Sequence, residues 1–370
     1  MIIPYHVPLI SSIDAANLII RSKEEGICNP LTDGYKGFSD DYMLVVVGWN
    51  EEKYVGRTIE HLVKNFGREK IMFYDDGSTD STPEIVESFG VDAMRGEHKG
   101  KVESLKTAVE EVKKFGVNYV VTLDADTVIE NSAHEIGKVV DYMENFDIKG
   151  MGGRLLPDPE LGDGLLFDLQ WLEYKKAMEI FRKSMRTLNP CISGAFGIFH
   201  IDDLLETLHN NNHDFAGDDF RRTCYLLKKG YKVGYCDSLH AYTQVPTSLK
   251  DFVEQRIRWQ KGYFNVFFEN LEFIKRNDRL GATWKYSFVM DFLLHPFKLL
   301  SLPFLVLFPE IGLALYLSYT TIEAYSVYKT EKKGEKKRHL SAILLSPIYD
   351  LGIIVGPRTI GWIKALVSRD

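Results

Sequence analysis

The sequence predicts an α/β fold with a doubly wound, mostly parallel sheet, followed by a more apolar helical region. Between Tyr42 and about Phe146, short β-branched runs alternate with longer amphipathic stretches, the pattern of strands joined by right-handed helical crossovers. Acidic and polar loops follow these runs, and ligands of open α/β sheets bind beyond the carboxyl ends of the strands. The positions of the loops therefore support the same fold.

Each element is predicted from its local pattern of apolar residues. Short apolar runs typical of buried strands occur at Tyr42–Val47, Lys70–Tyr74 and Asn118–Leu123. Amphipathic stretches typical of helices occur at Glu51–Asn65, Lys101–Phe115 and about Asn131–Asn145. Residues 1–41 show no clear period and are predicted to be an N-terminal extension.

Length and composition exclude some classes of protein. A chain of 370 residues, 45% hydrophobic and 26% charged, can bury a large core. Its net charge of -7 argues against a general nucleic-acid binder, because no global basic field attracts phosphates. The four cysteines (Cys28, Cys191, Cys224, Cys236) form no Cys-x-x-Cys pair, which suits a reducing compartment. Residues 1–6 lack the pattern of a secretory signal, so we expect the chain to stay on the cytosolic side.

Two polar loops suit the base and the phosphates of a nucleotide. In Asp75–Asp80, Gly77 permits a tight turn and a carboxylate can accept a hydrogen bond from a base N–H. Thr82 and Pro83 then suit the N-cap and first position of a helix. In Gly96–Lys101, lysines and backbone N–H groups ahead of a helix can meet a pyrophosphate. A plain acidic turn and a solvated charged loop remain the alternatives.

The string Asp124-Ala125-Asp126 indicates a metal site more sharply. Two carboxylates that share a strand end repel each other, and a cation removes that repulsion. Ligation by oxygen alone suits Mg²⁺ or Mn²⁺, with substrate phosphates completing the coordination.

A second acidic cluster lies at Phe215–Phe220, ahead of a helical stretch through Leu227. A carboxylate there can take the proton from an acceptor hydroxyl while a diphosphate leaves. The alternative is a pair of acids, Asp218 and Asp219, that stabilise the helix dipole.

The string Gln255–Trp259 sets an amide, two guanidiniums and an indole within about one helical turn. Arginine binds phosphate oxygens, and an indole offers a flat face on which a sugar ring can stack. Together with the acidic loops, this string points to a sugar transferase that uses a nucleotide-diphosphate donor.

The motifs resemble those of family 2 glycosyltransferases, above all the membrane-embedded hyaluronan, chitin-oligosaccharide and cellulose synthases. They occur in the order found in that family: Val46–Glu51, Asp75–Ser78, Asp124–Asp126, Gly217–Asp219 and Gln255–Trp259. The resemblance runs from about Tyr42 to about Phe268 and identifies 42–265 as a cytosolic glycosyltransferase domain with a nucleotide-sugar-binding, GT-A-like fold.

The resemblance implies roles on the donor side. Asp76, with Asp75 as its neighbour, would read uracil, Lys101 would lie near the diphosphate, and Arg258 would hold the pyrophosphate. The residues matching the nucleotide-facing loop after the first strand are Gly48, Trp49 and Glu51. Asp124 and Asp126 match the metal motif for Mn²⁺ or Mg²⁺, with Asp126 as the direct ligand.

On the acceptor side the resemblance assigns the general base to Asp219, with Asp218 beside it. Gln255 would support the acceptor and Trp259 would stack on its sugar. Cys191, Ser193 and Gly194 match the loop beneath the acceptor end in hyaluronan synthases, although Cys191 fits an inert buried thiol equally well. The implied reaction is a single displacement that inverts the anomeric carbon.

The region 266–370 is predicted to be interfacial and membrane-associated. Val266–Ile274 has the pattern of an interfacial helix, and Leu299–Tyr319 is apolar over about the 20 residues that a bilayer requires. Ser341–Val355 is a shorter apolar stretch, and the basic Lys329–Arg338 suits a cytosolic loop facing anionic lipid. A buried helical subdomain remains the alternative.

The predicted function is extension of a polysaccharide from a UDP-sugar by an inverting, metal-dependent enzyme at the membrane, with its catalytic domain on the cytosolic side. The acceptor is an oligosaccharide, or, in a non-processive alternative, a lipid-linked sugar. A silent UDP-sugar-binding subunit of a synthase complex and a nucleotidyltransferase remain alternative functions. Assembly of the chain into a homo-oligomer also stays open.

Overall fold

The computed structural model describes residues 29–178, 191–210, 217–293, 307–330, 340–350 and 355–367, and the architecture is that of these residues. They fall into two compact units. The first unit holds 29–158, 191–210 and 217–244, and the second holds 159–178 and the described residues from 245 onward. The predicted boundaries at 41/42 and 265/266 stay a prediction.

The strands and helices follow one another in chain order from Tyr42. The elements as far as β6 are β1 Tyr42–Gly48, α1 Val55–Phe66, β2 Ile71–Asp75, α2 Thr82–Ser88, β3 Ala93–Arg95, α3 Lys101–Lys113, β4 Tyr119–Asp124, β5 Thr127–Ile129, α4 Ala133–Asn145 and β6 Ile148–Pro157. The remaining elements are α5 Gly164–Lys176, β7 Phe196–His200, α6 Ile201–His209, α7 Asp218–Lys228, β8 Lys232–Thr243, α8 Leu249–Glu269, α9 Arg279–Ser287, α10 Pro309–Thr330, α11 Leu340–Ile348 and α12 Val355–Val367.

The first unit is built on an eight-stranded mixed sheet in the order β3-β2-β1-β4-β7-β6-β8-β5. The strands from β3 to β4 are parallel, as predicted, and β6 is parallel to β8. However, β7 is antiparallel to both β4 and β6, and β5 is antiparallel to β8. The prediction of a mostly parallel sheet is therefore wrong beyond β4, where the sheet is mixed. The direction of a strand does not follow from strand–helix alternation alone, since α5 joins β6 to β7 and these two strands still pair antiparallel.

The core lies around the central strands. All of β1 is buried, and Val120 and Val121 of β4 are fully buried. Such strands consist of continuous apolar runs because both faces of the sheet are covered there. Ile59 and Leu62 of α1, Val109 and Val112 of α3, and Val139 and Val140 of α4 complete the core.

Two predicted helix starts differ from the structure. α1 begins at Val55, four residues after the predicted Glu51, because a turn comes first in which the N–H groups of Tyr54 and Val55 both donate to the Glu51 carbonyl at 2.9 Å. In α2 the N-cap is Ser81 and Thr82 is already helical. The Thr82 hydroxyl instead accepts the Glu51 N–H at 2.7 Å, which ties the two loops together.

The second unit is helical over its described residues. Ser248 caps α8 by accepting the N–H of Asp251 at 3.1 Å. Gly361 of α12 allows close approach to α8, because a Cβ there would lie 2.7 Å from the Ile257 carbonyl oxygen. The predicted interfacial stretch forms the end of α8 and most of a 3₁₀ turn at Leu271–Lys275, and its Phe267 and Phe273 are buried.

Among the helices that the structure describes, none combines the length and apolar character needed to span a bilayer. Parts of the predicted membrane region lie outside the described residues: 299–306, 331–339 and 351–354. Residues 1–28 of the predicted N-terminal extension, and Phe215 and Ala216 ahead of α7, also lie outside them.

Substitution of Ser132 by alanine is expected to lower the free energy of unfolding by about 1 kcal/mol. Ser132 and Glu135 form a reciprocal capping box at the start of α4, with the Ser132 Oγ accepting the Glu135 N–H at 3.3 Å. Denaturant unfolding followed by circular dichroism measures the loss. Ser132→Thr, which keeps an acceptor oxygen, is the control, and equal stability of the two variants would contradict the prediction.

Candidate active site

The candidate site lies at the carboxyl edge of the parallel half of the sheet. The strand register aligns Gly48 of β1 with Asp75 of β2, and Val47 of β1 with Asp124 of β4. The loops that follow these strands therefore start side by side. Gly48 is required at this edge because a Cβ would lie 2.8 Å from the ring of Phe73.

Asp76, predicted to read the base, is buried and organises the loop before α3. One carboxylate oxygen accepts the Lys99 N–H at 2.8 Å and the Ser104 hydroxyl at 2.6 Å. The other accepts the Gly100 N–H at 3.0 Å and lies 3.0 Å from His98 Nδ1. A carboxylate has about four acceptor positions, so its own chain occupies the acceptor capacity of Asp76. Its role toward a base stays a prediction.

Asp75 is also buried, and its carboxylate accepts the Ser78 N–H at 3.2 Å. Beside it, Trp49 and His98 stack with their ring centroids 4.4 Å apart and their planes 21° apart. Trp49 remains 48% exposed, so this pair presents a flat aromatic surface next to the loop after β2. Sequence reasoning gave His98 no role, because a histidine in a polar loop carries no signal of its stacking partner.

The carboxylates after β1 and β4 form a region of mutual repulsion. Burial, and then the charge of Asp124, raises the pKa of Asp126 to about 6. Burial, followed by Asp126 and Asp124, raises the pKa of Glu51 to about 7. The hydroxyls of Thr127 and Thr243 each lie 3.2 Å from Asp126 Oδ1.

A divalent cation fits this chemistry, since it would offset the repulsion and prefers hard oxygen ligands. Across the residues that the structure describes, no group of three or more histidine, cysteine, aspartate or glutamate side chains is arranged to hold a metal. A cation held by Asp124 and Asp126 would therefore need further ligands from the substrate.

The predicted base, Asp219, is held at the start of α7. Its Oδ2 accepts the Gly194 N–H at 3.3 Å and lies 3.5 Å from the Cys191 thiol. Its Oδ1 accepts the N–H of Phe220 at 2.7 Å. Thr223 joins α7 to the same loop by accepting the Ile192 N–H at 3.0 Å. The loop therefore fixes the orientation of the Asp219 carboxylate.

The side chain of Ser193 turns back on this loop and accepts the Ala195 N–H at 3.3 Å. Cys191 is buried, consistent with both of its predicted roles. The structure thus places Cys191, Ser193 and Gly194 on the loop that orients Asp219.

Lys101 connects the donor-side and base-side residues. Its ammonium forms an ion pair with Asp124 and donates to the Gly194 carbonyl at 3.3 Å. Asp218 belongs to the same electrostatic group: burial and the neighbouring Asp219 raise its pKa, whereas Arg222 and Lys101 oppose that rise. Lys101 therefore links Asp124, one of the two predicted metal ligands, to the loop that holds the predicted base Asp219.

The remaining predicted residues, Gln255, Arg258 and Trp259, belong to α8 in the second unit. Arg258 is exposed, while Gln255 and Trp259 are half-buried. Between them Arg256 is buried and pairs with Glu173 of α5 at 2.8 Å. Sequence reasoning assigned Arg256 no role, although its position on the buried face of α8, four residues after Phe252, was a signal that it needs a partner.

Comparisons with known proteins find similar sequences and a similar fold. Poly-beta-1,6-N-acetyl-D-glucosamine synthase of Staphylococcus aureus (strain COL) is 25% identical over 231 residues, covering 59% of this chain and 53% of that protein. The synthase of the same name from Staphylococcus epidermidis is 25% identical over 228 residues. The chain spans about half the length of these curated relatives.

A solved structure shares the fold. The mannosyltransferase PcManGT from Pyrobaculum calidifontis, in complex with GDP-Man and Mn²⁺, superposes with a TM-score of 0.56 at 14% identity, covering 98% of this chain and 99% of that chain. This likeness confirms a mixed α/β, GT-A-like fold. The family model described as "Glycosyltransferase like family 2" matches residues 40–262, well over half of the chain. The protein therefore belongs to glycosyltransferase family 2.

Proposed function

We propose that the protein is an inverting, metal-dependent glycosyltransferase that moves a sugar from a UDP-sugar to the hydroxyl end of a growing polysaccharide. The observation that carries this proposal is the link made by Lys101, which bonds both to Asp124 and to the loop that orients Asp219. A base for the acceptor and an electrostatic site for the leaving diphosphate thus lie in one connected network. The relatives named as polysaccharide synthases support the class of product, and make UDP-N-acetylglucosamine the first donor to test.

In the proposed reaction Asp219 takes the proton of the acceptor hydroxyl. The hydroxyl oxygen forms a bond to the anomeric carbon from the face opposite the diphosphate, and the bond from that carbon to the phosphate oxygen breaks. UDP leaves with the electron pair, and the anomeric configuration inverts. The N–H groups of Gly194 and Phe220 orient the carboxylate for this transfer.

Asp124 and Asp126 would hold Mg²⁺ or Mn²⁺, which when bound supplies positive charge to the leaving diphosphate. Lys101 and Arg258 would contribute further positive charge to its phosphate oxygens. The stacked pair of Trp49 and His98 would offer a flat surface to the base, beside Asp75 and Asp76.

Association with a membrane, with the catalytic domain on the cytosolic side, is part of the proposal, as is assembly into a homo-oligomer. Exposed apolar side chains on α10, Ile311, Leu313 and Leu317, support membrane association. The basic sequence Lys329–Arg338 suits anionic lipid. A long polymer product would indicate extension of a polysaccharide, and a single added sugar would indicate the alternative lipid-linked acceptor.

Asp219→Asn is expected to reduce sugar transfer by at least about 100-fold, because an amide cannot accept the hydroxyl proton. UDP release from UDP-N-acetylglucosamine in the presence of Mn²⁺ and a β-1,6-linked N-acetylglucosamine oligosaccharide measures the loss, and calorimetry checks that UDP still binds. Asp202→Asn is the matched control, because Asp202 is an exposed acid in the first turn of α6 that pairs with Lys113. Full activity of the Asp219 variant would remove that residue from the mechanism.

Mn²⁺ is expected to tighten the binding of UDP by at least about tenfold in the unmodified protein and to have little effect in Asp126→Asn. The reason is that the variant loses one of the two carboxylates that would hold the cation, whose positive charge would favour binding of the diphosphate. Calorimetric titration with UDP, with and without Mn²⁺, measures the change independently of turnover. Asp92→Asn, an exposed acid before β3, is the control. An equal effect of Mn²⁺ in both variants would exclude Asp126 as a ligand.

A further inference from the structure

An arginine lies between the two residues of α8 that the family resemblance predicts to bind the acceptor. Arg256 follows Gln255 directly and precedes Trp259 by three residues, so all three share about one helical turn. Yet Arg256 is only 1% exposed, whereas its neighbours are half-buried. Taking the charge of a guanidinium out of water is costly unless it is paired, so Arg256 needs a partner inside the unit.

The partner is Glu173 of α5, and the pairing is bidentate. Arg256 Nε lies 3.1 Å from one carboxylate oxygen and Nη2 lies 2.8 Å from the other. Burial alone would lower the pKa of Arg256, whereas the charge of Glu173 raises it. The net effect of the surroundings is a raised pKa, so the guanidinium stays charged. Bidentate pairing fixes both the position and the plane of the guanidinium, which a lysine ammonium cannot do.

The fixed guanidinium contacts both acceptor-side residues. Its Nη1 donates to the Gln255 side-chain oxygen. Its Cζ lies 4.4 Å from the centroid of the Trp259 ring and 4.4 Å from that of Phe252. Arg256 therefore determines where the Gln255 amide is held and covers part of the Trp259 indole.

A third segment of the second unit supports the pair. The hydroxyl of Tyr349, just after α11, donates to the Glu173 carboxylate at 2.5 Å. Burial and the adjacent Glu173 carboxylate raise the pKa of Tyr349, which keeps its hydroxyl protonated and able to donate. The carboxylate that holds Arg256 is thus itself held by a neutral donor.

We propose that Arg256, anchored by Glu173 and Tyr349, is a positioning residue that holds Gln255 and Trp259 in the orientation that binds the acceptor saccharide. This inference rests on the proposed function, and in particular on the acceptor roles of Gln255 and Trp259. Buried ion pairs contribute little net stability compared with apolar residues of the same volume, so a role in orientation gives this pair a purpose that stability alone does not.

Arg256→Lys tests the inference, because it keeps the positive charge and loses the planar fork. We expect the KM for a β-1,6-linked N-acetylglucosamine pentasaccharide to rise by about tenfold, with the KM for UDP-N-acetylglucosamine unchanged. Arg276→Lys is the matched control, since Arg276 also pairs with a carboxylate, that of Asp278, and lies near a phenylalanine ring, but at a half-exposed site. The control is expected to change neither KM.

Tyr349→Phe provides a second, milder variant in case Arg256→Lys does not fold. It removes only the hydroxyl that holds Glu173, and we expect the KM for the pentasaccharide to rise about two- to threefold, again without a change in the KM for the donor. Thermal unfolding monitors the integrity of both variants.

The outcomes separate the two proposals. If the unmodified protein transfers sugar but the variants leave the KM for the pentasaccharide unchanged, or raise both KM values equally, the positioning role is overturned. If the unmodified protein neither transfers sugar to the pentasaccharide nor binds it in a calorimetric titration, the proposed function fails, and the positioning role fails with it. A selective rise in the KM for the pentasaccharide supports both.

Discussion

The candidate site depends on one constraint, the crowding of negative charge at the carboxyl edge of the sheet. Glu51, Asp126 and Asp218 all have raised pKa values because burial and neighbouring carboxylates disfavour their ionised forms. Lys101 is a cation that the chain itself supplies at this edge, through its ion pair with Asp124. Because these carboxylates repel one another, the site is suited to bind further positive charge together with a diphosphate.

The position of Lys101 depends in turn on Asp76, whose carboxylate binds the backbone N–H groups of the two residues before Lys101. Asp76 accepts the N–H groups of Lys99 and Gly100 and the hydroxyl of Ser104, which fixes the entry into α3. Since Lys101 is the first residue of that helix, its ammonium is directed toward Asp124 and Gly194. A buried carboxylate after β2 thereby sets the geometry after β4 and in the loop that orients Asp219.

The sequence was sufficient to predict the first part of the sheet, because the runs at β1, β2 and β4 are apolar and bounded by polar loops. The acidic motifs could be placed at strand ends for the same reason. The antiparallel β7 could not be predicted, since the direction of a strand is set by the strands it pairs with, here β4 and β6, and not by its own residues. Likewise, the partner of Arg256 is Glu173, 83 positions away, and no local period connects them. What sequence reasoning missed is therefore set by tertiary contacts.

The hydrogen bonds that occupy the Asp76 carboxylate affect how a preference for one nucleotide base could change during evolution. Any replacement of Asp76 disturbs several bonds of the loop at once, so this position is constrained by architecture before it can respond to selection for a different base. Trp49 is less constrained, because its indole is half exposed and stacks on the ring of His98. A change of base preference is therefore expected to arise more readily by substitution of Trp49 than by substitution of Asp76.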